Sequence, residues 1–198
     1  MHGLVNRAVQ CFLRDTYGYD LWLRVARDAG VPAVGFETMV VYDLVITQRV
    51  LAAAAVHLNR PREAMLEDLG TYLVSHKTVE ALRRLLRFGG VTFTDFLLSL
   101  EDLPDRTRMA LPDLVLPRMT LDEAGADLFQ LTVQSAVEGA GFVLLGLLRA
   151  MADDYGALVL LDHGGVVAGA EVLHINVLDG SFAEGRRFDL ASATGMVA

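Results

Sequence analysis

The hydrophobic period of this 198-residue chain changes once. From Leu4 to about Leu111, apolar residues recur every three or four positions, the repeat of helices with one buried face. From Leu114 onward they alternate with polar residues, the repeat of half-buried strands, and one more helical stretch interrupts them. Helices collected in one half and strands in the other predict an α+β fold rather than alternating α/β units.

The helices are expected at Leu4–Tyr17, Tyr19–Ala29, Tyr42–Leu58, Arg62–Leu73, Thr78–Arg87, Thr92–Leu100 and Asp105–Leu111. Gly18 and Gly30 follow the first two as stop signals, and Pro61 and Pro104 suit helix starts. Leu114–Thr120 and Asp127–Val133 predict one hairpin, turning around Asp122–Gly125. A helix follows over Glu138–Asp154. Ala157–Asp162 and Ala170–Val177 predict a second antiparallel pair, bracketed by Gly164-Gly165 and Asp179-Gly180. With no linker-like tract and no fixed-period repeat, the expectation is one domain over 1–198, helical over 1–111 and sheet-containing over 112–198.

Hydrophobic residues make up 53% of the chain. The longest strongly apolar run, Ala140–Leu148, is only about half of the roughly 20 residues that a membrane-spanning helix needs. The apolar residues are therefore expected to build a large core, and no membrane insertion is expected. The opening residues lack the basic and apolar regions of a secretory signal. The single cysteine, Cys11, suits a reducing compartment, so a cytoplasmic location is expected. Against 25 Asp and Glu stand 17 Lys and Arg, which disfavours nucleic-acid binding, because phosphate contacts need clustered cations. Arg83, Arg84 and Arg87 read as a solvated helix face.

No catalytic set emerges. The five histidines, His2, His57, His76, His163 and His174, form no metal-ligand spacing. There is no nucleophile elbow, no phosphate-binding loop and no dinucleotide fingerprint. The chain is accordingly read as a non-enzyme without catalytic residues or a metal cluster.

The opening Met1-His2-Gly3-Leu4-Val5-Asn6-Arg7-Ala8 resembles the start of heme–nitric oxide/oxygen binding (H-NOX, HNOB) domains, which begin Met-aromatic-Gly-Phe-Val-Asn-His-Ala. The likeness continues through Tyr17-Gly18, Trp22, Tyr42-Asp43, Leu69-Gly70, Phe96–Leu103, Pro112, Pro117, Ser135, Glu138-Gly139 and Gly146–Leu148. It covers roughly residues 1–160, and the order and spacing of the fragments carry it. The family, which includes the sensor domain of soluble guanylate cyclase, implies a helical N-terminal part packed on a C-terminal antiparallel sheet with an inserted helix. It also implies heme as cofactor, nitric oxide sensing in signal transduction, and a histidine kinase or cyclic-nucleotide enzyme as partner.

Two departures bear on the heme. Aligned without a gap, the family's iron-ligating histidine falls on Pro104, and proline offers iron no axial donor. The family's propionate-binding Tyr-x-Ser-x-Arg falls on Val133, Ser135 and Val137, of which Ser135 alone is kept. Buried propionates need a cation and hydrogen bonds. His2, at a distal aromatic position, and Met109, on the proximal helix, are the alternative ligands considered. Arg108 and Arg118 are the nearby cations. The site is therefore expected to have lost heme in its standard form. It has either collapsed around Val5, Leu73, Val133, Val137 and Val143, with Pro117 beside them, or it takes an apolar ligand such as a lipid or isoprenoid. An empty apolar void of heme size is disfavoured, since unfilled volume costs about 24 cal/mol per Å3. The alternative kept open is a heme sensor with a non-standard axial ligand.

Overall fold

The computed structural model describes residues 1–186. The chain runs as α1 (Gly3–Tyr17), α2 (Tyr19–Ala29), α3 (Leu44–Leu58), α4 (Arg62–Ser75), α5 (Glu80–Arg87), α6 (Phe93–Leu98) and α7 (Leu103–Ala110). Then follow β1 (Arg118–Gly125), β2 (Leu128–Gln134), α8 (Ala140–Tyr155), β3 (Leu158–Val167) and β4 (Ala170–Asp179). This is the expected α+β order of helices, hairpin, helix and hairpin.

Each helix boundary has a local cause. His2 caps α1 with Nδ1, which accepts the Leu4 N–H at 3.2 Å. Asp43 does the same for α3 through the Val45 N–H at 3.0 Å, so α3 starts two residues later than the apolar period suggests. Asn59 ends it in the left-handed region at φ 50°. Thr92 and Asp95 form a reciprocal capping box at the start of α6.

The sheet has four antiparallel strands in the order β1-β2-β4-β3. Met119, Phe129, Leu131, Val133, Leu173, Ile175 and Val177 face inward and are buried. Between them Thr120, Gln130, His174 and Asp162 point to the other face, as the two-residue period requires. Both hairpins turn later than the sequence pattern places them. β1 starts only after Pro117 and runs to Gly125, and Asp127 takes φ 59° at the turn. In the second hairpin Gly164 and Gly165 are not the turn. The register slips between His163 and Val166, making a bulge with Gly165 at φ 86°. The turn is Ala168-Gly169, both at positive φ, the pairing that suits the twist of a two-residue hairpin.

Two apolar clusters make the core. One lies between α1 and α4 around Phe12, Trp22, Val25 and Leu69. The other lies between α5–α8 and the sheet around Phe93, Phe96, Leu131, Leu148 and Leu173. α4 and α8 join them by a close crossing. A Cβ on Gly70 would stand 1.9 Å from the Val143 carbonyl oxygen, and one on Gly146 would stand 1.9 Å from that of Glu67. Only glycine allows the two backbones to approach this closely.

Buried polar groups pin the pieces. Tyr72 Oη donates to Asp15 Oδ2 at 2.8 Å, tying α4 to α1. Arg83 Nε donates to Asp154 Oδ1 at 2.7 Å, and Arg87 approaches the same carboxylate at 3.6 Å. Arg83 and Arg87 thus face the core against α8 rather than forming a solvated face with Arg84, correcting the sequence expectation. No helix among the described residues is long and apolar enough to cross a membrane.

Candidate functional site

The segment between β2 and α8 is folded by its own polar groups. Ser135 Oγ accepts the Val137 N–H at 3.0 Å, a hydroxyl turn that short side chains favour. Gly139 then takes φ 85° to enter α8. Its N–H donates to Glu171 Oε1 at 3.1 Å, so β4 supplies the carboxylate that anchors this helix start.

The other oxygen of Glu171 lies 3.0 Å from His163 Nε2. Nδ1 of the same ring accepts the Gly165 N–H at 3.1 Å. That acceptor role places the imidazole proton on Nε2, where it is donated to Glu171. The ring lies flat on Phe142, with centroids 4.1 Å apart and planes 3° apart. Regular pairing of β3 puts His163 opposite the buried Leu173, on the face toward α8, and the bulge follows it, before Val166.

Arg62 enters from the start of α4. Its Nη2 donates to the Glu138 carbonyl at 3.1 Å. Its Nε is buried and has no hydrogen-bond partner among the described residues. Together these elements border an open pocket of about 360 Å3. Leu66, Val133, Phe142 and Val166 make its apolar wall, and Arg62, Ser135 and His163 its polar one.

The structure therefore brings Val133, Ser135 and Val137 to one cavity wall. The remaining expected positions lie elsewhere. Val5, Leu73 and Val143 are half-buried, the latter two packed against the helical cluster. Pro117 is half-buried just ahead of β1. Pro104 is the second residue of α7, where its missing N–H costs no helical bond. Arg62, His163, Glu171 and Phe142 were not legible as a site. They lie on four separate elements, and no spacing in sequence relates them.

The candidate axial donors weighed from the sequence are engaged or exposed. His2 is 5% exposed, and the Nδ1 lone pair that accepts the Leu4 N–H leaves the proton on Nε2. Met109 is 82% exposed. His57 pairs with Asp28 at 2.7 Å, and His76 Nδ1 bonds Thr78 Oγ1 at 2.9 Å. Among the described residues no three His, Cys, Asp or Glu side chains gather in metal-holding geometry. These residues do not fit an iron held from the proximal helix.

Comparison with known proteins supplies the frame. The sequence model of the Haem-NO-binding family matches residues 2–163. Soluble guanylate cyclase 89Db of Drosophila melanogaster is 22% identical over 155 residues, which are 78% of this chain and 23% of that protein. Soluble guanylate cyclase gcy-31 of Caenorhabditis elegans is 24% identical over 117 residues, 59% of this chain and 17% of that protein. The chain thus spans less than a quarter of the cyclases it matches. The solved structure of an Fe(II) unliganded H-NOX protein from K. algicida superposes with a TM-score of 0.78 at 14% identity, covering 96% of this chain and all of the other. An H-NOX protein from S. oneidensis superposes with a TM-score of 0.78 at 17% identity, covering 95% of this chain and 100% of the other.

Proposed function

Since the chain belongs to the Haem-NO-binding family of H-NOX sensor domains, we propose that it is a signalling module which binds a small, mostly apolar ligand in place of a heme held by an axial histidine. The observation that carries this reading is Pro104 in the first turn of α7, the residue that the sequence resemblance aligns with the family's iron ligand. A proline there has no atom to give to iron. Val133 and Val137 support the reading, because on the same alignment they stand for the phenol and the cation of the propionate motif, and both line one pocket.

The sensor family holds the ligand end of a signalling pathway, and the chain matches only that end of the guanylate cyclases. On this reading its output goes to a partner enzyme, a cyclic-nucleotide enzyme or a histidine kinase. Heme held instead from His2 would require the ring to release the Leu4 N–H and move its proton from Nε2 to Nδ1.

Titration of the purified chain with hemin tests the proposal. The expected result is a broad, unsaturating absorbance of non-specifically bound hemin. A sharp Soret band reaching its maximum at one equivalent overturns it, and loss of that band in His2→Ala would assign the ligand to His2.

A further inference from the structure

We propose that the outer face of the sheet, around Leu128, Leu160 and Leu178, docks a basic amphipathic helix of a partner protein. This rests on the reading of the chain as a signalling module with a partner, and adds the surface at which that partner is met.

Strand register puts the three leucines side by side. Leu128 of β2 and Leu160 of β3 both pair with Asn176 of β4, one from each side. Leu178 stands two residues further along β4, on the same face. Phe129, Ile175 and Val177, at the alternating positions, are buried beneath the helices, so the leucines point outward. Leu160 is 59% exposed, Leu178 51% and Leu128 41%. None of them belongs to either apolar cluster of the core. The watered face of an antiparallel sheet ordinarily carries polar residues, and large apolar side chains grouped on such a face mark a contact surface.

Carboxylates surround the group. The next row of the sheet is Asp122, Gln130, His174 and Asp162, one residue from each strand. Asp127 sits in the turn beside Leu128, and Asp179 ends β4 after Leu178. All four aspartates are exposed, and none forms an ion pair among the described residues. Asp179 accepts the Ser181 N–H at 2.8 Å. The four strands carry a single Arg or Lys, Arg118 at the far end of β1, roughly 20 Å along the strand from the Leu128 row.

That ring of charge selects the occupant. A second copy would bring two acidic rings together, and the face is small for a dimer. Strands about 4.8 Å apart and up to ten residues long, at about 3.3 Å per residue, make a face of roughly 450 Å2. A stable interface buries about 800 Å2 on each partner. An anionic membrane surface is repelled by the same carboxylates. A helix about 10 Å across fits the width of the sheet. With an apolar side flanked by Lys and Arg, it meets the leucines and the aspartates at once.

Fluorescence anisotropy with the whole chain tests this. The probe is a labelled helical peptide of Leu and Lys, about 18 residues or five turns long. A second peptide has the same composition in an order that leaves no apolar side. The variants are Leu160→Thr, Leu178→Thr and the pair Asp122→Asn with Asp162→Asn, all at exposed positions. The pair Asp20→Asn with Asp113→Asn, on α2 and in the α7–β1 loop, makes the same change of charge elsewhere on the surface. Circular dichroism melts verify the fold. The amphipathic peptide is expected to bind wild type with micromolar affinity, less tightly as salt rises. It should bind each Leu variant and the Asp122 and Asp162 pair about tenfold more weakly, and the Asp20 and Asp113 pair as wild type. Equal binding to all variants, equal binding of the two peptides, or no binding by wild type overturns the proposal. Leu160-dependent binding of phosphatidylserine vesicles, or a monomer–dimer equilibrium in sedimentation that Leu160→Thr abolishes, also overturns it, by giving the face to a membrane or to a second copy. Hemin titration tests the ligand reading without touching this face, so failure of one is distinguishable from failure of the other.

Discussion

Gly70 of α4 and Gly146 of α8 occupy one helix crossing, and each lies where a methyl group would press on a backbone carbonyl of the opposite helix, at 1.9 Å in both cases. The crossing joins the helical cluster to the cluster under the sheet and positions α4 and α8, the two helices that line the cavity. Gly70→Ala or Gly146→Ala should force the helices apart and destabilise the fold by roughly 3 kcal/mol, the upper part of the usual overpacking range. Urea denaturation checks this. A loss below about 0.5 kcal/mol for either variant, the scale of an inconsequential surface change, would show that the helices are not in close contact.

Asp154 is 2% exposed and receives Arg83 at 2.7 Å and Arg87 at 3.6 Å. Arg87 also lies over the ring of Tyr155 at 3.8 Å. Removing the carboxylate leaves cationic side chains facing the core. Asp154→Ala is expected to lower stability by about 3–5 kcal/mol, the usual effect of breaking a buried pair from one side. Arg84→Ala, on the exposed side of the same helix, should change stability by no more than about 0.5 kcal/mol. Thermal melts of the two variants side by side measure the contrast.

Tyr72 and Asp15 predict opposite limbs of the stability–pH curve. Burial, joined by the Asp15 carboxylate to which it donates, pushes the Tyr72 hydroxyl up to about 12 against a lowering by Thr78. A raised folded-state value stabilises the fold below the ordinary tyrosine value of about 10, and that stability is lost as pH rises toward 12. Burial also pushes the Asp15 carboxyl upward, but the Tyr72 hydroxyl, Arg14 and His76 outweigh it and hold the group below its usual range. A lowered value stabilises the fold above the ordinary aspartate value, and that contribution is lost as pH falls through the folded value. Tyr72→Phe should cost about 1.5–3 kcal/mol at neutral pH, as loss of a hydrogen bond to a charged group does. It should also move the acid midpoint upward and flatten the alkaline limb. Chemical denaturation between pH 3 and 11 reads both, and an unchanged acid midpoint would contradict the coupling.

Glu171 holds the Gly139 N–H and the His163 ring at once. Glu171→Ala is expected to destabilise by about 1.5–3 kcal/mol through the lost charge-assisted bonds. It should also accelerate amide exchange at Gly139 and at the first turn of α8 more than at the far end of the helix. Hydrogen exchange that is uniform along α8 would mean that the carboxylate does not anchor the helix start.

Much of the fold was legible because its elements are local. The change of period at Pro112–Pro117 separates helices from strands, and caps such as Asp43 and Gly30 act within one turn of their own position. The hairpin turns were misplaced because Gly164-Gly165 carries the same composition as a turn. Pairing across the sheet, with Val166 opposite Glu171, turned that pair into a bulge. The burial of Arg83 and Arg87 was missed for a related reason. Arginine on a helix reads as solvated until a distant Asp154 is brought against it.

By itself the sequence determined the class of fold and the family likeness, since each depends on residue identity within short stretches. Tertiary structure alone decided which residues share a cavity. Arg62, Ser135, His163 and Glu171 come from the start of one helix, the turn between a strand and a helix, and two strands. They meet because glycine lets α4 and α8 cross closely and because strand pairing puts His163 opposite Leu173 on the inner face of the sheet. Such long-range packing leaves no spacing in the chain, and so the grouping of these four side chains is visible only in the folded molecule.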